Sequence, residues 1–384
     1  MKILFLRGIK ILDSRGEETL KVVMKTDRGG WSSVSLPQGK SKGKKEVISL
    51  KVNESLKRIK EIFSFLANKK ISSQEQLDRL LLKLDGTENK RNLGGNTILG
   101  ISLSLAKNFA QSREQELYQY LKELIDKKEK ISFNLKLLFN LINGGLHSPS
   151  GPSIQEYLLL TNLDKGRGIW LASKIYHSLG KKLKAGLGDE GGFILRERDN
   201  ELPLRLLKQI VKKINSSQKI RFGLDVAASN IKEKINILKL VEKYNLLYLE
   251  DPKKENDFAG FRKLREELKS QGKDTLVVGD DLTATNPQRI KRAIREKSID
   301  GIIVKPNQIG SLTETIEAIK IAKKNKLKVI ISHRSGETCD NFIADLALAS
   351  NAWGLKSGAP SRSERNSKYN RLLEILNLRN GPMV

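Results

Sequence analysis

Cysteine and histidine are nearly missing from this chain of 384 residues, which has one of the first, Cys339, and three of the second. A single thiol excludes an internal disulfide framework and fits a reducing compartment. So few soft ligands also argue against a zinc site. Aromatic residues make up only 5%, which leaves few platforms on which nucleic-acid bases could stack. No apolar run approaches the roughly 20 residues of a membrane helix. The opening stretch, MKILFLRGIKILD, is interrupted by Arg7 and Lys10 and does not read as a secretory signal. No G-x-G-x-x-G follows a candidate strand, so the dinucleotide-binding turn is lacking too. Together these absences predict a cytoplasmic protein with no membrane span.

Positive charge, by contrast, is abundant. The chain has 71 Lys+Arg against 44 Asp+Glu, a formal net charge of +27. Such an excess attracts polyanions. The lysines are nevertheless scattered through most helices, with no RNA-recognition signature beside them. A solvated basic surface is the plainer reading, and weak polyanion or RNA binding is the alternative.

Residues 2–7, 19–26 and 31–34 read as strands of a small antiparallel meander. The polar loop Pro37–Gly43, PQGKSKG, contains Ser41 and two glycines that suggest mobility; a plain connection is the blander reading and a lid the sharper one. Helical patterning fills 45–67, 74–84, 96–112 and 114–126, the second opened by a capping box of Ser72 and Glu75. From about residue 131 strands and helices alternate, the signature of a parallel α/β arrangement. Candidate strands lie at 132–139, 155–160, 220–225, 246–250, 275–280, 301–305, 328–332 and 353–356. A long helical stretch, 165–184, follows the second. Eight strands with outer helices fit a (β/α)8 barrel, and a doubly wound sheet is the alternative.

The last six strands end on Asp225, Glu250, Asp280, Lys305, His333 and Lys356, each about one βα unit from the next. In a barrel that spacing sets all six around the C-terminal mouth, where active sites belong. One charged strand end is unremarkable, but six in succession are hard to explain as solvated caps. Three converging carboxylates require a cation, and all-oxygen ligation suits a hard divalent ion, Mg²⁺ first. Lys305 ends the apolar run Gly-Ile-Ile-Val and would be costly to bury there without compensation. Neighbouring positive charge is expected to lower its pKa and make it a proton acceptor. The glycine-rich turn GDEGGF, 188–193, holds Asp189 and Glu190. Asn143-Gly-Gly145 with His147 opens a loop that returns at Gln155-Glu156. Ser332-His-Arg-Ser335 supplies a guanidinium and a hydroxyl suited to a phosphate.

Taken together, these motifs resemble the enolase family. The likeness is carried by Asp13-Ser-Arg-Gly16, Leu84-Asp-Gly-Thr87, Asn143-Gly-Gly145, Gln155-Glu156, GDEGGF and Leu224-Asp225 with Ala227-Ala-Ser229. Further along it is carried by Glu250-Asp-Pro252, Gly279-Asp-Asp-Leu282, Lys305-Pro-Asn-Gln-Ile-Gly310, Ser332-His-Arg-Ser-Gly-Glu-Thr338, Lys356-Ser-Gly-Ala-Pro360 and Arg362-Ser-Glu-Arg365. The resemblance implies a small α+β capping domain, 1–126, with the mobile loop 37–43. A modified TIM-like barrel with a ββαα start, 127–384, would carry the active site. It implies reversible dehydration of 2-phosphoglycerate to phosphoenolpyruvate with two Mg²⁺ ions. Asp225, Glu250 and Asp280 would hold the first ion and Ser41 would help hold the second. Lys305 would take the C2 proton, and Glu190 with Glu156 would protonate the departing C3 hydroxyl. His147 would lie on a closing loop near the phosphate, which Arg334 and Ser335 would bind. Lys356 would meet the substrate carboxylate, with Gln155 and His333 as positioners. A homodimer is implied as well, through Glu364, although the family's partner arginine is replaced by Ile9. The lid also departs from the family's Pro-Ser-Gly-Ala-Ser-Thr-Gly, reading Pro37-Gln-Gly-Lys-Ser-Lys-Gly43. A sugar-acid dehydratase of the same superfamily and a catalytically idle basic scaffold are the competing readings. The phosphate-type residues speak against the first of these, and retention of the whole charged set speaks against the second.

Overall fold

The computed structural model describes residues 1–40, 45–67, 69–148, 151–214 and 219–379. The N-terminal part is a meander, β1 (Ile3–Leu12), β2 (Glu18–Thr26) and β3 (Gly30–Ser35), followed by α1 (Val52–Leu66), α2 (Gln74–Asp85), α3 (Gly95–Gln111) and α4 (Leu117–Asp126). The β1–β2 turn is made by Asp13, whose Oδ1 accepts the N–H groups of Arg15 (2.8 Å) and Glu17 (3.1 Å), and by Gly16 at φ +78°. Only glycine adopts that φ without penalty. Helix α3 is apolar or small on nearly every side because it lies between the sheet and its sister helices. Its Gly100 lets β2 come close, since a Cβ there would stand 2.4 Å from Val22 Cγ2. The cap of α2 falls one residue later than the sequence suggests. Ser73 Oγ accepts from Gln76 N–H, and the Gln76 side chain returns to Ser72 N–H.

The second part runs β4 (Lys136–Asn143), β5 (Glu156–Asn162), α5 (Arg167–Leu183), the two-residue β6 (Phe193–Ile194), α6 (Leu202–Ile214) and β7 (Arg221–Asp225). Strands and helices then alternate through α7 (Ile237–Tyr244), β8 (Tyr248–Glu250), α8 (Phe258–Ser270), β9 (Leu276–Gly279), α9 (Pro287–Arg295) and β10 (Gly301–Val304). The short α10 (Pro306–Ile309) precedes α11 (Leu312–Lys324), β11 (Lys328–Ser332), α12 (Phe342–Ala349), β12 (Gly354–Lys356) and α13 (Ser363–Arg379). The sheet order is β12-β11-β10-β9-β8-β7-β5-β4, and β12 also pairs with β4, which closes an eight-stranded barrel. Strand β5 alone runs antiparallel to its neighbours β4 and β7. The start is therefore ββαα, as the resemblance implied, and the doubly wound alternative falls away. Strand β4 begins and ends about four residues later than hydropathy suggests. Its polar Asn140 and Asn143 are strand residues whose amides serve the barrel mouth, at Glu190 and His147.

Strand parity then decides which side chains reach the lumen. Leu138, Leu158, Leu160, Tyr248, Val278, Ile303 and Ile330 form an apolar cluster of their own. Their neighbours Leu137, Leu159, Leu249, Val277, Ile302 and Ile331 belong to the larger core instead. Side chains two apart share a face of a strand. Glu250, Asp280 and Lys305 each stand two residues beyond a luminal residue, and Glu156 two before Leu158 on the reversed strand. All four therefore emerge at one mouth, on top of the apolar plug. In β11 the luminal place two beyond Ile330 is Ser332, so His333 faces differently from the strand-end set in which its spacing had placed it.

Candidate active site

The mouth opens into a cleft of about 550 Å³ in which Lys356 is central. Its ammonium lies 2.9 Å from Glu156 Oε2, 3.0 Å from Asp225 Oδ2 and 2.8 Å from Glu250 Oε2. Burial works against the Lys356 charge, but these carboxylates outweigh it and hold its pKa well above the ordinary value. Tyr248 donates its hydroxyl to Glu250 Oε2 at 2.6 Å from below. Burial, reinforced by the charge of Asp225, pushes Glu250 up to about 8. Gln155 Nε2 reaches Asp225 Oδ2 at 3.4 Å.

Lys305 is paired with Asp280, whose other oxygen accepts from Gln308 Nε2 at 3.1 Å. The expected lowering of the Lys305 amine is not what this arrangement produces. Burial lowers it, as do Arg334 and Lys356, but Asp280 outweighs them and the amine is held above its usual value. Asp280 is correspondingly lowered, against its burial, by Lys305. Lys305 is thus held as an ammonium on the Asp280 carboxylate.

At the far side, Glu156, Glu190 and His147 bring ligand-type atoms within 4.8 Å of one another. Burial raises Glu156 well above the usual carboxylate range, and the Glu190 charge adds to this. Burial also opposes ionisation of Glu190, but the two imidazoles and the Arg365 guanidinium reverse the balance. The two carboxyls are thus pushed in opposite directions, Glu156 up and Glu190 down. Asn140 Nδ2 donates to Glu190 Oε2 at 2.9 Å. His333 Nδ1 lies 2.5 Å from Arg365 Nη1. A guanidinium has no acceptor, so Nδ1 must accept and the neutral ring carries its hydrogen on Nε2. That nitrogen faces Glu190 Oε2 at 3.4 Å. Burial pushes the His333 imidazole down to about 4, so it is neutral at physiological pH.

Arg334 is clamped by Glu46 through Nη1–Oε2 at 2.9 Å and Nη2–Oε1 at 3.0 Å, and Nη1 also donates to Asn307 Oδ1 at 2.9 Å. The first half of the expected lid, residues 37–40, is docked beside this guanidinium. Gln38 and Gly336 exchange backbone hydrogen bonds at 2.7 and 2.9 Å, and Lys40 N–H donates to Ser335 Oγ at 2.8 Å. A Cβ at Gly39 would stand 2.0 Å from Arg334 Nη2. The Lys40 ammonium reaches Asp189 Oδ2 at 3.2 Å and Leu146 O at 3.3 Å, which joins the segment to both neighbouring loops. Ser41 lies outside the described residues.

Two comparisons with known proteins agree with this architecture. The enolase N-terminal domain matches residues 3–121, and the enolase C-terminal TIM barrel domain matches 135–238 and 232–379. The chain is 38% identical to the enolase of Sulfurisphaera tokodaii over 97% of its own length and 95% of that protein's. It is 37% identical to the enolase of Elusimicrobium minutum, with 95% and 93% covered, and to that of Aeropyrum pernix, with 97% and 93% covered. This chain belongs to the enolase family.

Membership in the enolase family implies a metal site, and the residues present fit one. Glu250 Oε1 is buried without a hydrogen-bond partner, a costly state for a carboxylate oxygen unless a cation meets it. Asp225, Glu250 and Asp280 offer only oxygen ligands. Among the described residues the compact groups of ligand-type atoms are His147, Glu156 and Glu190, and Asp251, Asp280 and Asp281, so of that trio only Asp280 falls in one. There Asp251 is already engaged, accepting the backbone N–H groups of Asp280 (3.0 Å) and Asp281 (2.7 Å) from a left-handed backbone at φ +41°. It acts as a staple between two strand ends. In an enolase site assembled this way, sequence reasoning misses Glu46, Asn140, Tyr248 and the positioning role of Arg365. Asn140 and Tyr248 could have been found by luminal parity. Arg365 belongs to Arg362-Ser-Glu-Arg365, a motif that gives no hint of its partner at His333, and Glu46 has no local signal.

Proposed function

We propose that this chain catalyses the reversible Mg²⁺-dependent dehydration of 2-phospho-D-glycerate to phosphoenolpyruvate. The observation that supports this most directly is the meeting, at one barrel mouth, of two lysines with four acidic side chains from successive strands. Asp225, Glu250 and Asp280 would hold one ion and Ser41 would help hold a second. Two such ions would supply fixed positive charge where the substrate carboxylate and the developing enolate gather negative charge.

Lys305 takes the C2 proton. Its amine is raised by Asp280, whereas burial, Arg334 and Lys356 all lower it. With Asp280 engaged by a bound cation, its hold on the Lys305 ammonium would weaken, and Nζ would be better able to accept a proton. Glu190, with Glu156, holds and passes the proton for the leaving C3 hydroxyl, and the neutral His333 orients Glu190 through Nε2–H. Arg334 and Ser335 bind the phosphate, with His147 on the loop beside it. Lys356 faces the substrate carboxylate, and Gln155 positions Asp225. The division at residues 126 and 127 belongs to the same reading. It is supported by α4 ending at Asp126 and by the irregular run that precedes β4.

The reading includes a homodimer, supported by exposed Leu4, Ile9 and Leu12 on β1. It also includes a cytoplasmic location, supported by an exposed free thiol at Cys339. Among the described residues no helix is long and apolar enough to cross a membrane.

Ultraviolet absorbance tests the activity. Purified protein with 2-phosphoglycerate and Mg²⁺ should generate phosphoenolpyruvate, and a chelator should stop it. Absence of the signal would overturn the reading. Lys305→Ala should abolish exchange of the C2 proton, and exchange at the wild-type rate would mean that another group is the base.

A further inference from the structure

The opposite end of the barrel contains an open recess lined by Lys136, Leu160, Asn162, Lys219, Arg221 and Asp274 among others. Its position follows from the strand directions. Lys136 opens β4 and Arg221 opens β7, while Asn162 ends the reversed β5 and pairs with Lys136 across the ladder. The floor is the lower face of the luminal plug, Leu160 with Leu247. Three cations and one carboxylate therefore surround a pocket that has no part in the active site.

The charges there are unbalanced. Asp274 is used up by Arg221, which grips it with Nη1 at 2.8 Å and Nη2 at 2.7 Å. Lys136 is half-buried. Its ammonium donates to the neutral Asn162 Oδ1 at 2.9 Å and lies 5.8 Å from the centre of the Trp353 ring. Among the described residues neither Lys136 nor Lys219 has a carboxylate within ion-pair distance. Burial lowers the Lys136 pKa, and the charges of Lys219 and Arg221 lower it further, the mark of cations that lack a counter-ion. A fold does not need this arrangement, since a half-buried unpaired ammonium is a net cost.

We propose that the N-terminal mouth of the barrel is a second binding site, for a small phosphate-type oxyanion held between Lys136 and Lys219. The recess between strand ends suits a compact tetrahedral anion, free or on a small metabolite. A nucleic-acid backbone offers the same chemistry on a bulkier rod, which the recess disfavours.

Equilibrium dialysis of the full chain against radiolabelled inorganic phosphate, without divalent ions, should find two equivalents bound. Arg334→Met should remove the active-site equivalent only, and Lys136→Met with Lys219→Met should remove the other only. Retention of both equivalents in the double variant would overturn the proposal, as would one equivalent in wild type that Arg334→Met abolishes. Should the double variant fail to fold, Asp274→Asn provides a second readout at an exposed position. By freeing Arg221 it should tighten the Lys136-side equivalent several-fold, and unchanged or weaker binding there would count against the site. A short RNA added as competitor should leave this equivalent in place. Displacement at stoichiometric RNA would transfer the site to a polymer and sink the small-anion proposal.

Discussion

His333 shows how one side chain can be neutral by construction. Arg365 occupies the acceptor side of its ring, and protonating Nδ1 would aim a hydrogen at a guanidinium 2.5 Å away. With a folded pKa of about 4 against an ordinary value of roughly 6.5, acid favours the unfolded chain, which takes up the proton first. The stability that depends on this imidazole is therefore complete above pH ~6.5 and is lost as pH falls toward ~4. Urea unfolding of wild type and His333→Asn should show the wild-type advantage shrinking between pH 7 and pH 5 by on the order of 1–2 kcal/mol. A pH-independent difference would mean that the ring is not held neutral. Such a residue was legible in the sequence as a candidate but not as a tautomer, because Arg365 stands 32 positions away and only the closed barrel brings the two together. Lys305 carries a similar lesson. Its place at a strand end was readable, whereas its storage on Asp280 was not, since the pairing is set by side-chain reach across two strands.

At the level of elements, period-two alternation explains most of what could be read. Tyr248-Leu-Glu250 and Ile303-Val-Lys305 each put a luminal apolar residue beneath a charged one, so strand ends and mouth residues could be found together. What alternation does not reveal is contact between distant loops. Glu46 precedes α1 and clamps Arg334 from 288 residues away, without any periodic signal in its own neighbourhood. The segment Pro37–Lys40 depends on the same guanidinium, and Gly39 is where the approach is closest. Gly39→Ala should push the segment off Arg334, because a Cβ would stand 2.0 Å from Nη2 and the guanidinium can step back only by giving up its bonds to Glu46 and Asn307. The expected result is a fall in kcat/KM of about tenfold or more, at least ~1.4 kcal/mol of transition-state binding, with the thermal midpoint little changed. Wild-type kcat/KM in this variant would show that the docked segment is dispensable.

For the molecule as a whole, the net charge of +27 sets the terms of association. Two such chains repel over distances that salt shortens, the screening length being about 10 Å at 0.1 M. A dimer built on the exposed apolar residues of β1 should therefore strengthen as salt rises, the reverse of an interface held by ion pairs. Sedimentation velocity at micromolar protein should show the dimer fraction growing when sodium chloride is raised from low to physiological strength. Monomer at both strengths would refute the dimer. Within one chain the capping part and the barrel are tied by specific bonds. Lys107 meets Asp340 at 3.0 Å, and buried Asp78 accepts Thr313 N–H at 2.9 Å and its hydroxyl at 2.7 Å. Composition announced the charge of this molecule but not these ties, which join residues more than 200 positions apart.

The pairing of β12 with β4 has a further bearing, on how the chain comes to be active at all. Asp225, Glu250 and Glu156 are synthesised well before Lys356, and the strand that carries Lys356 is also the last stave of the barrel. Without that stave, Glu156, Asp225 and Glu250 lack the ammonium they share, and β11 and β4 lack the strand that joins them. Arrival of β12 satisfies the backbone ladder and the electrostatic deficit in one event. A chain ending before residue 354 would therefore lose barrel closure and the centre of the charged site together.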